Sequence, residues 1–138
     1  MMEVKIHAVP IEKDGHKYLR ITSPVRVAYP VPTGTVYADV MALWDTGATN
    51  TSIPMDVAAA MGLPLGEPSS VRKMKTTLAA RRCQLYIQFH DGSKIFVKEA
   101  LAVPKMQAQF IIGMDVISKG TTAIKPDGEG GVHFTFTL

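Results

Sequence analysis

The sequence contains one cysteine, Cys83, in 138 residues. That excludes an internal disulfide framework and fits a reducing compartment. No apolar run approaches the ~18 residues that a membrane span requires. The opening stretch, MMEVKIHAVPIEKDG, is charged from Glu3 onward and lacks the apolar core of a leader peptide. A cytoplasmic protein without a membrane segment is therefore expected. The four histidines (His7, His16, His90 and His133) are scattered, and neither HExxH nor CxxC spacing occurs. No metal site and no cofactor are expected. GxSxG, GxGxxG and Gly-rich phosphate loops are also missing, which sets aside the nucleophile-elbow and nucleotide-binding classes. The formal net charge of +3 gives no reason to expect nucleic acid.

What is present is a globular composition, 46% apolar and 20% charged, which argues against disorder. The length suits one domain over residues 1–138, with 1–19 as a peripheral N-terminal extension. Most of the chain reads as short strands. Residues 16–21 and 24–29 alternate apolar and polar side chains after an Asp14-Gly15 turn signal, and 35–44 form a longer strand. Leu85, Ile87 and Phe89 share one face of 84–89, and Asp91-Gly92 turns that strand into 94–103. A further hairpin joins 121–125 to 131–138 through Asp127-Gly128. Two short helices interrupt this pattern. One covers 54–61, with Pro54 at its first position and Gly62 as its stop; the other covers 114–118, between Gly113 and Gly120. The expected fold is all-β with two short helices.

Residues 42–54, ALWDTGATNTSIP, contain the candidate chemistry. Asp45 ends an apolar approach, Met41-Ala42-Leu43-Trp44, where an isolated charge is costly. An acid there can simply cap a turn or the next helix. Gly47 also permits a tight turn and the close approach of a substrate, and small residues follow. A second apolar-apolar-Gly element, Ile111-Ile112-Gly113, lies about 65 residues on, and Met-Asp-Val recurs after both elements.

The pairing of Asp45-Thr46-Gly47-Ala48-Thr49 with Phe110-Ile111-Ile112-Gly113-Met114-Asp115-Val116-Ile117 resembles the retropepsin-like aspartic proteases, especially the bacterial single-lobe members. The resemblance runs from about residue 20 to the C-terminus. It implies a closed β-barrel of the acid-protease type and an endopeptidase that hydrolyses peptide bonds in protein or peptide substrates. That chemistry needs two carboxylates sharing one proton about a water molecule, because like charges ~3 Å apart cannot both ionise. The chain has one such motif, so the implied state is a C2 homodimer with Asp45 of each subunit on the axis. Asp45 is the implied catalyst and Thr46 and Gly47 orient it. Ala48, Thr49, Asn50 and Ile112 line the cleft. Alanine at 48 cannot donate a hydrogen bond to the carboxylate, so activity is expected nearer mildly acidic or neutral pH than strongly acidic pH.

The resemblance also places a flap over the cleft at about Val71–Leu85, with its tip near Thr76–Ala80. Lys75, Thr76 and Thr77 are the expected substrate contacts there. No glycine lies between Gly66 and Gly92, unlike the Gly-rich retroviral tips. Arg72, Lys73, Lys75, Arg81 and Arg82 make this segment basic; it reads either as a solvated hairpin or as a lid favouring acidic peptides or an anionic partner. Thr49 and Met114 stand where many retroviral members carry an Asp–Arg pair that buttresses the dimer. Asp115 reads as a helix N-terminal residue, Trp44 as core and Cys83 as a strand residue. The alternative to an enzyme is a non-catalytic module of the same fold used for dimerisation or peptide binding.

Overall fold

Period-two alternation and glycine turns dictate most of the architecture. A computed structural model describes residues 2–73 and 76–138. The strands in chain order are β1 (Glu3–Ala8), β2 (Ile11–Lys13), β3 (His16–Tyr18), β4 (Thr22–Val31), β5 (Gly34–Trp44) and β6 (Ser52–Pro54). Helix α1 (Met55–Met61) follows, then β7 (Pro68–Lys73), β8 (Thr76–Gln88), β9 (Lys94–Val103) and β10 (Phe110–Ile112). Helix α2 (Met114–Ile117), β11 (Thr121–Pro126) and β12 (Val132–Thr137) complete the fold. It is mainly β with two short helices, as expected. Among the described residues no helix is long and apolar enough to cross a membrane.

The larger sheet has the order β4-β5-β10-β6-β9-β8-β7, and β4 also pairs with β8 through Arg26–Ala28 and Tyr86–Gln88. Three-residue β10 lies parallel to β5, with Ile112 opposite Trp44, and antiparallel to β6. The smaller sheet has the order β1-β12-β11. Phe134 and Phe136 of β12 are 1% and 0% exposed and pack on Trp44 at centroid distances of 5.3 and 5.1 Å, which joins the two sheets in one core. Trp44 is thus core, and its indole N–H donates to Ser23 Oγ at 2.9 Å, so the buried ring leaves no unpaired donor. Helix α1 ends where the sequence stops it. Gly62 is left-handed (φ 71°), with Gly62 N–H on Ala59 O and Leu63 N–H on Ala58 O, a Schellman arrangement. Pro54 closes β6 just before the helix instead of opening it.

The first nineteen residues divide, against the expectation of a peripheral extension. β1 pairs along its whole length with β12 and buries Val4 and Ala8, and Met2 just before it is buried too. Only the β2–β3 hairpin is exposed throughout. Its two-residue loop has φ 53° at Asp14 and 75° at Gly15, the backbone a tight hairpin demands.

Asp127 fastens β1 to the β11–β12 turn. Its carboxylate accepts His7 Nε2 at 2.8 Å and the amides of Glu129 and Gly131 at 2.7 and 2.9 Å. The His7 hydrogen bond, with the two amides behind it, holds this carboxyl down at about 2. A carboxyl lowered on folding stabilises above its unfolded value of about 3.9 and loses that contribution as pH falls through the folded value. Asp127→Asn is therefore expected to melt below wild type at pH 7. The gap should close between pH 4 and pH 2 in thermal melts of the two proteins.

Candidate active site

Asp45 follows directly from the end of β5. Its backbone N–H donates to Ile112 O at 2.9 Å, so the parallel β5–β10 pairing carries the carboxylate to the sheet end. Gly47 N–H donates to Asp45 Oδ1 at 2.8 Å, and Ala48 N–H reaches Asp45 O at 3.2 Å. Asp45 is half-buried. It lines a cavity of about 510 Å³ together with Gly47, Ala48, Thr49 and Asn50. The cavity's apolar wall comes from Leu43, Leu101, Val103 and Ile111. Its cover comes from the β7–β8 hairpin through Ser70, Val71, Arg72 and Leu78. Asp45 is the only acid among the described lining residues. Val71, Leu78 and Met106 pack on buried Ala80, Leu101 and Val103, a small apolar cluster that anchors the hairpin to the wall.

The sequence-predicted residues separate on this geometry. Asp45, Gly47, Ala48, Thr49 and Asn50 come together on the cavity. Thr46 is exposed and lies outside the lining. Ile112 does not line the cleft: it is 0% exposed, and its neighbour Ile111 takes the lining position. Consecutive strand residues point to opposite faces, and the register opposite Trp44 turns Ile112 inward. Thr76 and Thr77 begin β8, paired with Lys73 and Arg72, and are outside the lining. The expected tip, Thr76–Ala80, is thus part of the returning strand. Lys75 lies outside the described residues.

Sequence reading undervalued the brace beneath the Asp45 loop. Asp115 Oδ2 accepts the Thr51 N–H at 2.9 Å, and Oδ1 accepts the Thr51 hydroxyl at 2.8 Å and the Val116 N–H at 2.9 Å. The Thr51 hydroxyl in turn accepts Gly113 N–H at 3.2 Å. Met114 N–H on Ala48 O (2.8 Å) and Asp115 N–H on Thr49 O (3.1 Å) complete the strap. Asp115 is therefore a helix N-terminal residue, as expected, and also the acceptor that holds the other end of the catalytic-type loop. The recurrent Met-Asp-Val was its only sequence signal. Thr51 is 0% exposed. Asp115→Ala strands two buried donors, at about 1–3 kcal/mol each. A loss of about 2–4 kcal/mol is expected from urea unfolding midpoints, with Asp115→Asn falling between.

Cys83 is buried and its thiol is pushed up to about 11 by that burial, which removes it as a nucleophile. Among the described residues no group of three or more His, Cys, Asp or Glu converges on a metal position.

An acid on a glycine turn between paired apolar strands, under a hairpin and beside an open cleft, defines the site of an aspartic-protease-type fold. The sequence profile described as "gag-polyprotein putative aspartyl protease" matches residues 37–119, more than half the chain. The chain belongs to this gag-polyprotein aspartyl protease family, which bears out the resemblance read from its two motifs. Sequence comparison with curated proteins gives no significant match. Solved structures share the fold, two proteases among them. A retropepsin-like aspartic protease from Rickettsia conorii superposes with TM-score 0.60 at 14% identity, over 98% of this chain and 91% of that one. The EIAV protease complexed with the inhibitor HBY-793 gives 0.54 at 16% identity, over 79% and 93%.

Proposed function

We propose that this chain is an aspartic endopeptidase that works as a C2 homodimer, one Asp45 from each protomer forming the catalytic pair. The observation that carries the reading is the lone carboxylate of Asp45, held by Gly47 N–H beside a cleft that contains no second acid among its described residues. One carboxylate cannot act at once as base and acid, so the missing group is assigned to a second copy. The pairing of β4 with both β5 and β8 supports a closed barrel, and the shared core supports a single domain over 1–138.

In this reading the ionised carboxylate takes a proton from the water lying between the pair. The hydroxide forms a bond to the scissile carbonyl carbon while the protonated carboxyl donates to the carbonyl oxygen. The gem-diol then breaks its C–N bond as one carboxyl proton passes to the amine nitrogen, while the ionised carboxyl takes a gem-diol proton, which leaves a carboxylic acid product and restores the pair with its one proton. Gly47 fixes the Asp45 rotamer, and the Ile112 carbonyl fixes its backbone. Ala48, Thr49 and Asn50 meet the substrate chain. Thr46, exposed in the protomer, is free to reach the partner's backbone across the axis.

The test is a diverse peptide library incubated with the purified protein between pH 4 and 7, beside Asp45→Asn. Cleavage confined to wild type and peaking above pH 4 is expected. Cleavage that survives the substitution removes Asp45 from the mechanism. No cleavage under any condition leaves a peptide-binding module.

A further inference from the structure

Two of the flap cations named by the sequence, Arg81 and Arg82, are engaged away from the cleft. Arg81 Nε donates to Gly66 O at 2.7 Å, and Arg82 pairs with Glu99 at 3.7 Å; neither lines the cavity. Of the flap cations only Arg72 is among the described lining residues. Two cations from elsewhere join it: Arg20, from the link between β3 and β4, and Lys105, from the loop between β9 and β10. None of the three forms an ion pair with an acid among the described residues. The Arg20 guanidinium lies over the Tyr18 ring, 5.8 Å from its centroid.

Three cations with no ion-pair partner among the described residues therefore line one cavity with a single carboxylate and an apolar wall. Neutralising Asp45 does not account for them. In a dimer, six cations would face a catalytic pair that carries a single negative charge when it shares one proton. A cleft with low-dielectric walls and charge of one sign focuses its field on a ligand of the opposite sign. Resting on the reading of this cleft as a peptide site, we infer that Arg20, Arg72 and Lys105 select substrates with acidic residues on both sides of an apolar scissile pair. Leu43, Val103 and Ile111 take the apolar side chains, and the three cations take the flanking carboxylates. The two-fold axis repeats the set, so the preference applies on both sides of the cut bond.

The test compares matched peptides with an apolar central pair and either Glu or Gln in the flanking positions. At pH 6 the Glu side chains, with an ordinary value of about 4.3, are ionised. Wild type at low ionic strength is expected to favour the Glu peptide in kcat/KM by about tenfold, since exposed pairs are individually weak and several act together. At about 0.5 M salt, where the screening length is below ~5 Å, the ratio should shrink several-fold. The Arg20→Gln/Arg72→Gln/Lys105→Gln variant should cleave the two peptides alike, while Lys94→Gln, a surface change away from the cleft, keeps the wild-type ratio. Equal cleavage by wild type overturns the inference and leaves the protease reading standing. Should wild type cleave nothing, the protease reading fails on its own. Fluorescein-labelled peptides bound to Asp45→Asn then decide the charge preference separately. Tighter, salt-sensitive binding of the Glu peptide upholds it; equal binding, or none, overturns it.

Discussion

Asp45→Asn is expected to lower peptide hydrolysis by about 10³–10⁴-fold, because both the general base and the proton donor vanish from a dimer built of the variant. Folding should survive, since the Asn side-chain oxygen can still accept Gly47 N–H, the one hydrogen bond that Asp45 Oδ1 makes among the described residues. The sharper measurement is a mixing series. With wild type held constant and Asp45→Asn added, random exchange makes mixed dimers that hold one acid each. Activity should fall in proportion to the wild-type fraction, to about half at equal amounts and about a tenth at ninefold excess. A monomeric catalyst would keep its full activity throughout. The series thus reads the quaternary requirement and the chemical role in one titration.

The second large effect is structural. Gly113 has φ −96° and ψ −174°, extended backbone that any residue adopts. Its need for glycine comes from close approach. A Cβ at 113 would lie 2.6 Å from Asn50 C, 2.7 Å from Asn50 O and 2.9 Å from Ala48 O. All three are backbone atoms of the Asp45 loop, and no rotamer change relieves them. Gly113→Ala should cost about 2–3 kcal/mol as overpacking, with a drop in Tm of roughly 5–15 °C. It should also reduce turnover far more than it reduces folded protein at assay temperature, because a shift of ~1 Å in a positioned carboxylate can cost ~10²-fold. Differential scanning calorimetry and kcat on the same preparation separate the two losses. A variant that melts with wild type would mean that the loop yields at no cost.

The legible parts of this fold are those whose cause is local. The Asp14-Gly15 and Asp91-Gly92 turns, the Leu85–Ile87–Phe89 face and the Gly62 stop of α1 each follow from a few neighbouring residues. β1 alternates as clearly as any strand, with Val4, Ile6 and Ala8 on one side, but its partner β12 lies more than a hundred residues away and no nearby turn announces it. Ile111 and Ile112 are chemically identical, so only the register with Leu43 and Trp44 decides which one meets the cleft. No glycine or asparagine lies between Gly66 and Gly92 to mark a turn, and the expected tip Thr76–Ala80 falls on β8. At the site, Asp45 stood out because an acid ending an apolar strand is expensive. Asp115 did not, because its second role depends on Thr51, brought to it only by the fold.

Cys83 lies opposite Ala100 at the register shift where β8 passes from the hairpin into the sheet, and it is 4% exposed. With its buried thiol at about 11, roughly one molecule in a thousand carries a thiolate at pH 8; once solvent reaches it the burial penalty is gone and the thiol returns toward its ordinary ~8.5. The single cysteine is therefore a built-in clock. Alkylation proceeds only while the β8–β9 seam is parted, and lifting the hairpin tip alone leaves it silent. Pulse-labelling with and without a peptide inhibitor would tell whether the lid swings as a rigid arm or unzips the sheet that carries it.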